Sequence, residues 1–214
     1  MLGSLKYDKY VPEMIVVGIG YDCEDLDLEK LRQIDYTPVV SRADTNSGDA
    51  KAFLQFIETQ VIPYSENNFR VDSSFSVLVG GSYGGLFGLY AMFEKPELFQ
   101  GIISSSPAIL YGRRWIIQRE IDFYWGNRKE LWLDEPSRSL PVRLFMTVGD
   151  QETEFNWKYE AKAFDQLISR RGYKGFEYEF HVMEGFHHGG VKYPTFSRGM
   201  AFMFKPYMVS RQPD

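Results

Sequence analysis

Cysteine occurs once in the 214 residues, at Cys23, so no intrachain disulfide can form and packing must hold the fold, as expected of a reduced compartment. Positive charge is not in excess. The 24 Lys plus Arg stand against 29 Asp plus Glu, a formal net charge of -5, which offers no electrostatic grip on a nucleic-acid backbone or an anionic membrane. No apolar run approaches the roughly 18 residues that span a bilayer. The first residues include Asp8 and Glu13 and lack an apolar stretch of signal-peptide length. Internal repeats, low-complexity tracts and an interdomain linker are also missing. The expectation is therefore a cytoplasmic protein with no nucleic-acid and no membrane partner. Its 44% apolar and 16% aromatic residues suffice for one sizeable core, and the chain reads as a single domain over residues 1–214.

What is present is an alternation of two patterns. Short, nearly continuous apolar runs at Met14 to Ile19, Phe75 to Val79, Gly101 to Ser104, Val142 to Val148 and Phe176 to Val182 predict strands covered on both faces. Helical spacing places Phe53, Phe56, Ile57, Val61 and Tyr64 on one face, and Phe155, Tyr159, Ala163, Leu167 and Ile168 on another. Further helices are predicted from about Tyr83 to Glu94 and from about Thr195 to Tyr207. The alternation predicts an α/β fold: a mostly parallel sheet with helices on both faces. Residues 22–49 read as a long polar loop with one helical turn at most. Residues 107–141, with Trp115, Phe123, Tyr124, Trp125 and Trp132, read as an inserted helical cap.

The stretch FSVLVGGSYGGLFGL combines an apolar strand, G-x-S-x-G at Gly80, Gly81, Ser82, Tyr83 and Gly84, and a helix, which is the context a nucleophile elbow requires. To present a serine oxygen at the tip of a strand, the chain must turn sharply into a helix. Glycines at 80 and 84 are expected to remove Cβ atoms that would collide there, and the helix aims its first N–H groups at the site. The Tyr83 amide then becomes one oxyanion donor. The competing readings are a plain glycine-rich turn and a phosphate loop. A Walker loop needs Lys before Ser or Thr, and a dinucleotide loop an acidic residue at a later strand end; neither is present.

A nucleophilic serine needs a base and an orienting acid, which in this architecture follow in the order Ser, acid, His on loops after later strands. After RLFMTV come Asp150 and Glu152, and after FEYEFHVM come His187 and His188. Both acids qualify, with Glu152 favoured, although either carboxylate also suits a helix start. His181 lies within a strand pattern and reads as a packed or edge residue, which leaves the base to His187 or His188. Two adjacent histidines without a third ligand make a poor metal signature, so neither a metal nor a cofactor is expected.

Together with the elbow, the segments PEMIVVGIGY at Pro12 to Tyr21, R-x-x-D-Y-T-P at Arg32 to Pro38 and PELFQGIISSSPA at Pro96 to Ala108 resemble the α/β-hydrolase family of esterases. That family includes siderophore (enterobactin) esterases, esterase D and the mycolyltransferase antigens. The likeness is greatest to the siderophore-esterase branch and covers nearly the whole chain. It implies the α/β-hydrolase fold, and it selects Glu152, third after the strand-ending Gly149, as the acid and His188 as the base.

Family members usually carry strands before MIVVGI and a loop there that gives the second oxyanion N–H. Nothing here matches these, so the resemblance implies an N-terminally shortened version of the fold. Three arrangements then compete. The chain is a shortened product, MIVVGI pairs directly with FSVLV and offers an amide near Gly20 or Tyr21, or a second subunit covers the bare edge as a homodimer. The expected function is that of a serine carboxylic ester hydrolase acting on a small-molecule ester through an acyl-enzyme. An acyltransferase or thioesterase with the same residues, and a non-catalytic hydrolase-derived binding protein, are the alternatives. Arg32 and Asp35 read as a structural pair bracing the long loop.

Overall fold

The computed structural model describes residues 2–21, 27–42, 45–126 and 138–209. Asp22, Cys23, Asp25 and Asp44 of the polar region, and Trp132 of the 107–141 insertion, lie outside the described residues. In chain order the elements are α1 (Leu2–Tyr7), α2 (Leu28–Tyr36), α3 (Ala50–Phe56), a π-helical turn (Ile57–Val61), α4 (Ile62–Asn68), β1 (Val77–Gly81), α5 (Tyr83–Glu94), β2 (Gly101–Ser105), α6 (Tyr111–Trp125), β3 (Arg143–Gly149), a 3-10 turn (Glu154–Asn156), α7 (Trp157–Ile168), β4 (Glu177–Met183) and α8 (Lys192–Val209).

The four strands form one parallel sheet in the order β1-β2-β3-β4. Its two central strands are buried along their whole length, as their unbroken apolar runs require, whereas edge strand β4 alternates exposed Glu177 and Glu179 with more sheltered Tyr178 and Phe180. Alternate side chains feed two cores. Ile102, Leu144 and Met146 join the cluster under α5, α6 and α7, and Ile103 and Phe145 join the cluster under α8 and α1. Helices thus cover both faces, and every strand points its carboxyl end at the same edge of the sheet.

Four of the five predicted strands are present, within a residue or two of their expected bounds. The fifth, Met14 to Ile19, forms no strand and pairs with nothing among the described residues, and Ile15, Val16, Val17 and Ile19 stand exposed. Apolar, β-branched composition gives propensity; a strand also needs a ladder, and β1 has no neighbour on its outer side among the described residues. The supposed loop at 22–49 contains a nine-residue helix, α2, capped by the Asp27 carboxylate accepting from the Lys30 N–H.

Two helical faces are out of phase with expectation. Pro63 lacks the N–H that would continue the α-helical ladder, and the turn before it opens into a π-helix. The rotation leaves Tyr64 outside while Leu54 and Ile57 are buried. Phe155 and Asn156 take left-handed φ values of 48° and 56°, so α7 starts afresh at Trp157. It buries Glu160, Ala161, Phe164 and Ile168 and leaves Phe155 and Tyr159 in solvent. Among the described residues of the 107–141 insertion, the helix is α6. It lies along α5, with Trp115 against Tyr90 and Phe123 against Phe93, and residues 112–114 take left-handed conformations at its start.

Candidate active site

At the carboxyl end of β1, Ser82 has φ 60° and ψ -120°, a region that costs a residue bearing a Cβ on the order of 1–3 kcal/mol. Three backbone bonds hold it there. The Ser82 N–H donates to the Ser105 carbonyl (2.9 Å), and the Ser82 carbonyl accepts from the amides of Leu86 (3.0 Å) and Ala108 (3.2 Å). Gly80 is obligatory, because a Cβ there would sit 2.2 Å from the Gly84 carbonyl oxygen. Gly84 is not: a Cβ at 84 would meet nothing nearer than the Tyr36 ring at 4.0 Å. The expected symmetry between the two glycines is therefore absent, since it is the backbone of 84 that crowds residue 80.

The other candidates gather on the loops that follow β3 and β4. Glu152 is buried with its Oε2 2.6 Å from Nδ1 of His188. Its other oxygen, Oε1, accepts from the Gly149 N–H (2.6 Å) and from the Ser106 hydroxyl (2.5 Å). Burial opposes ionisation of Glu152, but the bonds from His188, Ser106 and Gly149 outweigh it and hold the carboxyl below the usual glutamate range. His188 is half-buried, and its ring lies 4.4 Å from that of Trp157 at the start of α7. The adjacent His187 is exposed, and His181 lies on β4, bonded to Glu179 and against Phe145. Asp150 faces away, accepting the Gly185 N–H at 2.7 Å.

The structure therefore brings Glu152 and His188 into contact, and it links the Ser82 elbow to Glu152 through the end of β2. Ser82 bonds to Ser105, and the next residue, Ser106, bonds to Glu152. The Ser82 hydroxyl itself makes no hydrogen bond among the described residues. Tyr83 opens α5, where first-turn amides have no partner within the helix, so its N–H is available beside Ser82. Tyr21, two residues after the unpaired Met14 to Ile19 run, is tied by its hydroxyl to Asp35 on α2 (2.6 Å). Arg32 and Asp35 form no pair with each other among the described residues. Arg32 instead reaches the Gly81 carbonyl at 3.5 Å. A cavity of about 350 Å³ lies between β1, β2 and the start of α8, lined by Val79, Gly80, Gly81, Ile103, Tyr193 and Phe196. Sequence reasoning missed Ser106. Its only signal was a run of three serines before Pro107 at a strand end. Among the described residues, no three His, Cys, Asp or Glu side chains converge as metal ligands would.

The family model described as "Putative esterase" matches residues 1–202. The siderophore triacetylfusarinine C esterase of Aspergillus fumigatus is 38% identical over 216 residues, covering 90% of this chain and 71% of that protein. The ferri-bacillibactin esterase BesA of Bacillus subtilis is 24% identical, covering 90% and 68%. Among solved structures, the BES protein from Bacillus cereus superposes with a TM-score of 0.79 at 27% identity, covering 94% of this chain and 74% of that one.

Proposed function

We propose, from the premise that this chain belongs to the Putative esterase family and is a serine carboxylic ester hydrolase, that it cleaves its ester through an acyl-enzyme on Ser82. The observation that carries the reading is the 2.6 Å contact between Nδ1 of His188 and Oε2 of Glu152. That contact fixes the ring by one nitrogen and leaves Nε2 as the base.

The Ser82 oxygen attacks the ester carbonyl carbon while Nε2 of His188 takes its proton. The carbonyl oxygen becomes an oxyanion, held by the Tyr83 amide and the positive end of α5. When the intermediate collapses, the C–O bond to the alcohol breaks and the imidazolium gives its proton to the departing oxygen. Water then attacks the acyl carbon, His188 accepts a proton from it, and return of that proton to Ser82 frees the acid. Throughout, Glu152 holds the ring and offsets the charge of the imidazolium. Tyr21 is the proposed second oxyanion donor, through its amide.

The substrate is proposed to be a small-molecule ester of the siderophore class, by likeness to relatives named for such esters. Rings near the elbow suit an aryl or acyl group: Tyr83 and Tyr111 meet edge to face at 5.7 Å, and Trp157 lies against His188. Turnover of a panel of aryl, short-chain and macrolactone esters by the wild type and by Ser82→Ala tests the proposal. Hydrolysis of at least one class, abolished in the folded variant, is expected. Undiminished activity of Ser82→Ala rejects it.

A further inference from the structure

Ser106 follows β2 with φ 44°, a left-handed conformation that a residue with a Cβ adopts only under constraint. It is fully buried, its N–H donates to the Thr147 carbonyl at 2.8 Å, and its hydroxyl donates to Oε1 of Glu152 at 2.5 Å. We infer that Ser106 is a positioning residue for ester hydrolysis: it pins one oxygen of Glu152 so that the other is presented to Nδ1 of His188. The inference rests on the reading of Ser82, His188 and Glu152 as the reacting set.

A carboxylate can turn about its last bond and offer either oxygen. Here that rotation is blocked, because Oε1 has two donors, the Gly149 amide and the Ser106 hydroxyl, on the side away from His188. Facing an ionised acceptor, the Ser106 hydroxyl must donate, and such charge-assisted bonds are about twice as strong as neutral ones. The preceding residue does a matching task for the nucleophile, since the Ser105 carbonyl receives the Ser82 N–H at 2.9 Å. Two adjacent residues at the end of β2 thus tie the elbow to the acid. Both serines with left-handed φ at the site belong to that chain of contacts, Ser82 at its elbow end and Ser106 against the acid. Among the described residues, His188 is the one titratable side chain that contacts Glu152 directly. Lys158 of α7 bonds the Asp150 carbonyl, and the Asp150 carboxylate is turned to the Gly185 amide.

The test compares Ser106→Ala and Ser106→Gly, alone and combined with Glu152→Ala, by steady-state ester hydrolysis across pH. Glycine relieves the left-handed strain while still removing the hydroxyl, so it keeps the comparison valid if the alanine variant folds poorly. Both variants are expected to lower kcat by about 10- to 100-fold, the range for losing a hydrogen bond to a charged group, with KM little changed. The acid limb of kcat/KM is expected to move to higher pH, because a carboxylate with one donor fewer holds a proton more tightly. In the Glu152→Ala background neither change should add anything. A wild-type profile in both single variants, or an equal loss with and without Glu152, overturns the inference. Failure of Glu152→Ala to lower kcat would instead strike the triad reading itself.

Discussion

Nδ1 of His188 and Oε2 of Glu152 are 2.6 Å apart although 36 positions separate them in the chain. The parallel sheet makes the contact possible: β3 and β4 are neighbours with Gly149 paired to Met183, so the loops that leave them begin side by side. The Gln151 amide bonds the Phe186 carbonyl at 3.1 Å, which fixes one loop against the other.

Replacing Glu152 with Gln keeps the shape and removes the charge. The variant is expected to fold and to lose kcat by roughly 10³- to 10⁴-fold, the scale seen when a triad acid is neutralised, with a smaller change in KM. Steady-state hydrolysis of an activated aryl ester measures it. A loss under tenfold would mean that His188 does not depend on Glu152.

The lowered pKa of Glu152 also makes stability depend on pH. Its folded form binds a proton less readily than the unfolded chain does, so between the two values the unfolded state holds more protons and stability rises with pH. The stabilisation is complete above the ordinary glutamate range and is lost as pH falls through the lowered folded value. Urea midpoints from neutral to acid pH are expected to fall less steeply in Glu152→Gln than in the wild type. Parallel curves would contradict the assignment.

The two glycines that flank the elbow serine are expected to answer differently to alanine. Gly80→Ala drives a methyl group into the Gly84 backbone and should destabilise by about 1–3 kcal/mol and abolish turnover. Gly84→Ala fits its space and, in the first turn of α5, should be neutral or stabilise by up to about 1 kcal/mol. Thermal unfolding of the pair decides.

Away from the site, Glu120 is fully buried and takes Arg171 through both oxygens, at 2.8 and 3.0 Å, and the Tyr173 hydroxyl at 2.7 Å. Arg171→Ala leaves that carboxylate without its cation and is expected to lower stability by about 3–5 kcal/mol. Below its unfolding temperature, the variant should keep the kcat of the wild type. Chemical denaturation and turnover on one sample check both halves.

Much of this site was legible in the sequence because its constraints are local. The apolar run, Gly80 and the helix from Tyr83 dictate the elbow within a dozen or so residues, and the order of loops after strands narrows the acid to Asp150 or Glu152 and the base to His187 or His188, between which the family resemblance selects Glu152 and His188. What stayed hidden depends on distant partners. Ser106 has no role until Glu152, 46 positions on, is folded against it. Met14 to Ile19 has every mark of a strand except a neighbour. Phe155 fits the helical period of α7, but left-handed residues 155 and 156 break the phase before the helix begins. Arg32 and Asp35 have complementary charges, yet each is claimed by another residue, Gly81 and Tyr21 respectively.

The central claim is that the Ser82 oxygen is the nucleophile. Treatment of the folded chain with a fluorophosphonate, followed by peptide mass mapping, tests it most directly. One adduct is expected, on the peptide that carries Ser82, absent in Ser82→Ala and formed far more slowly in His188→Ala. No adduct on a folded sample, or an adduct on any other residue, would contradict it.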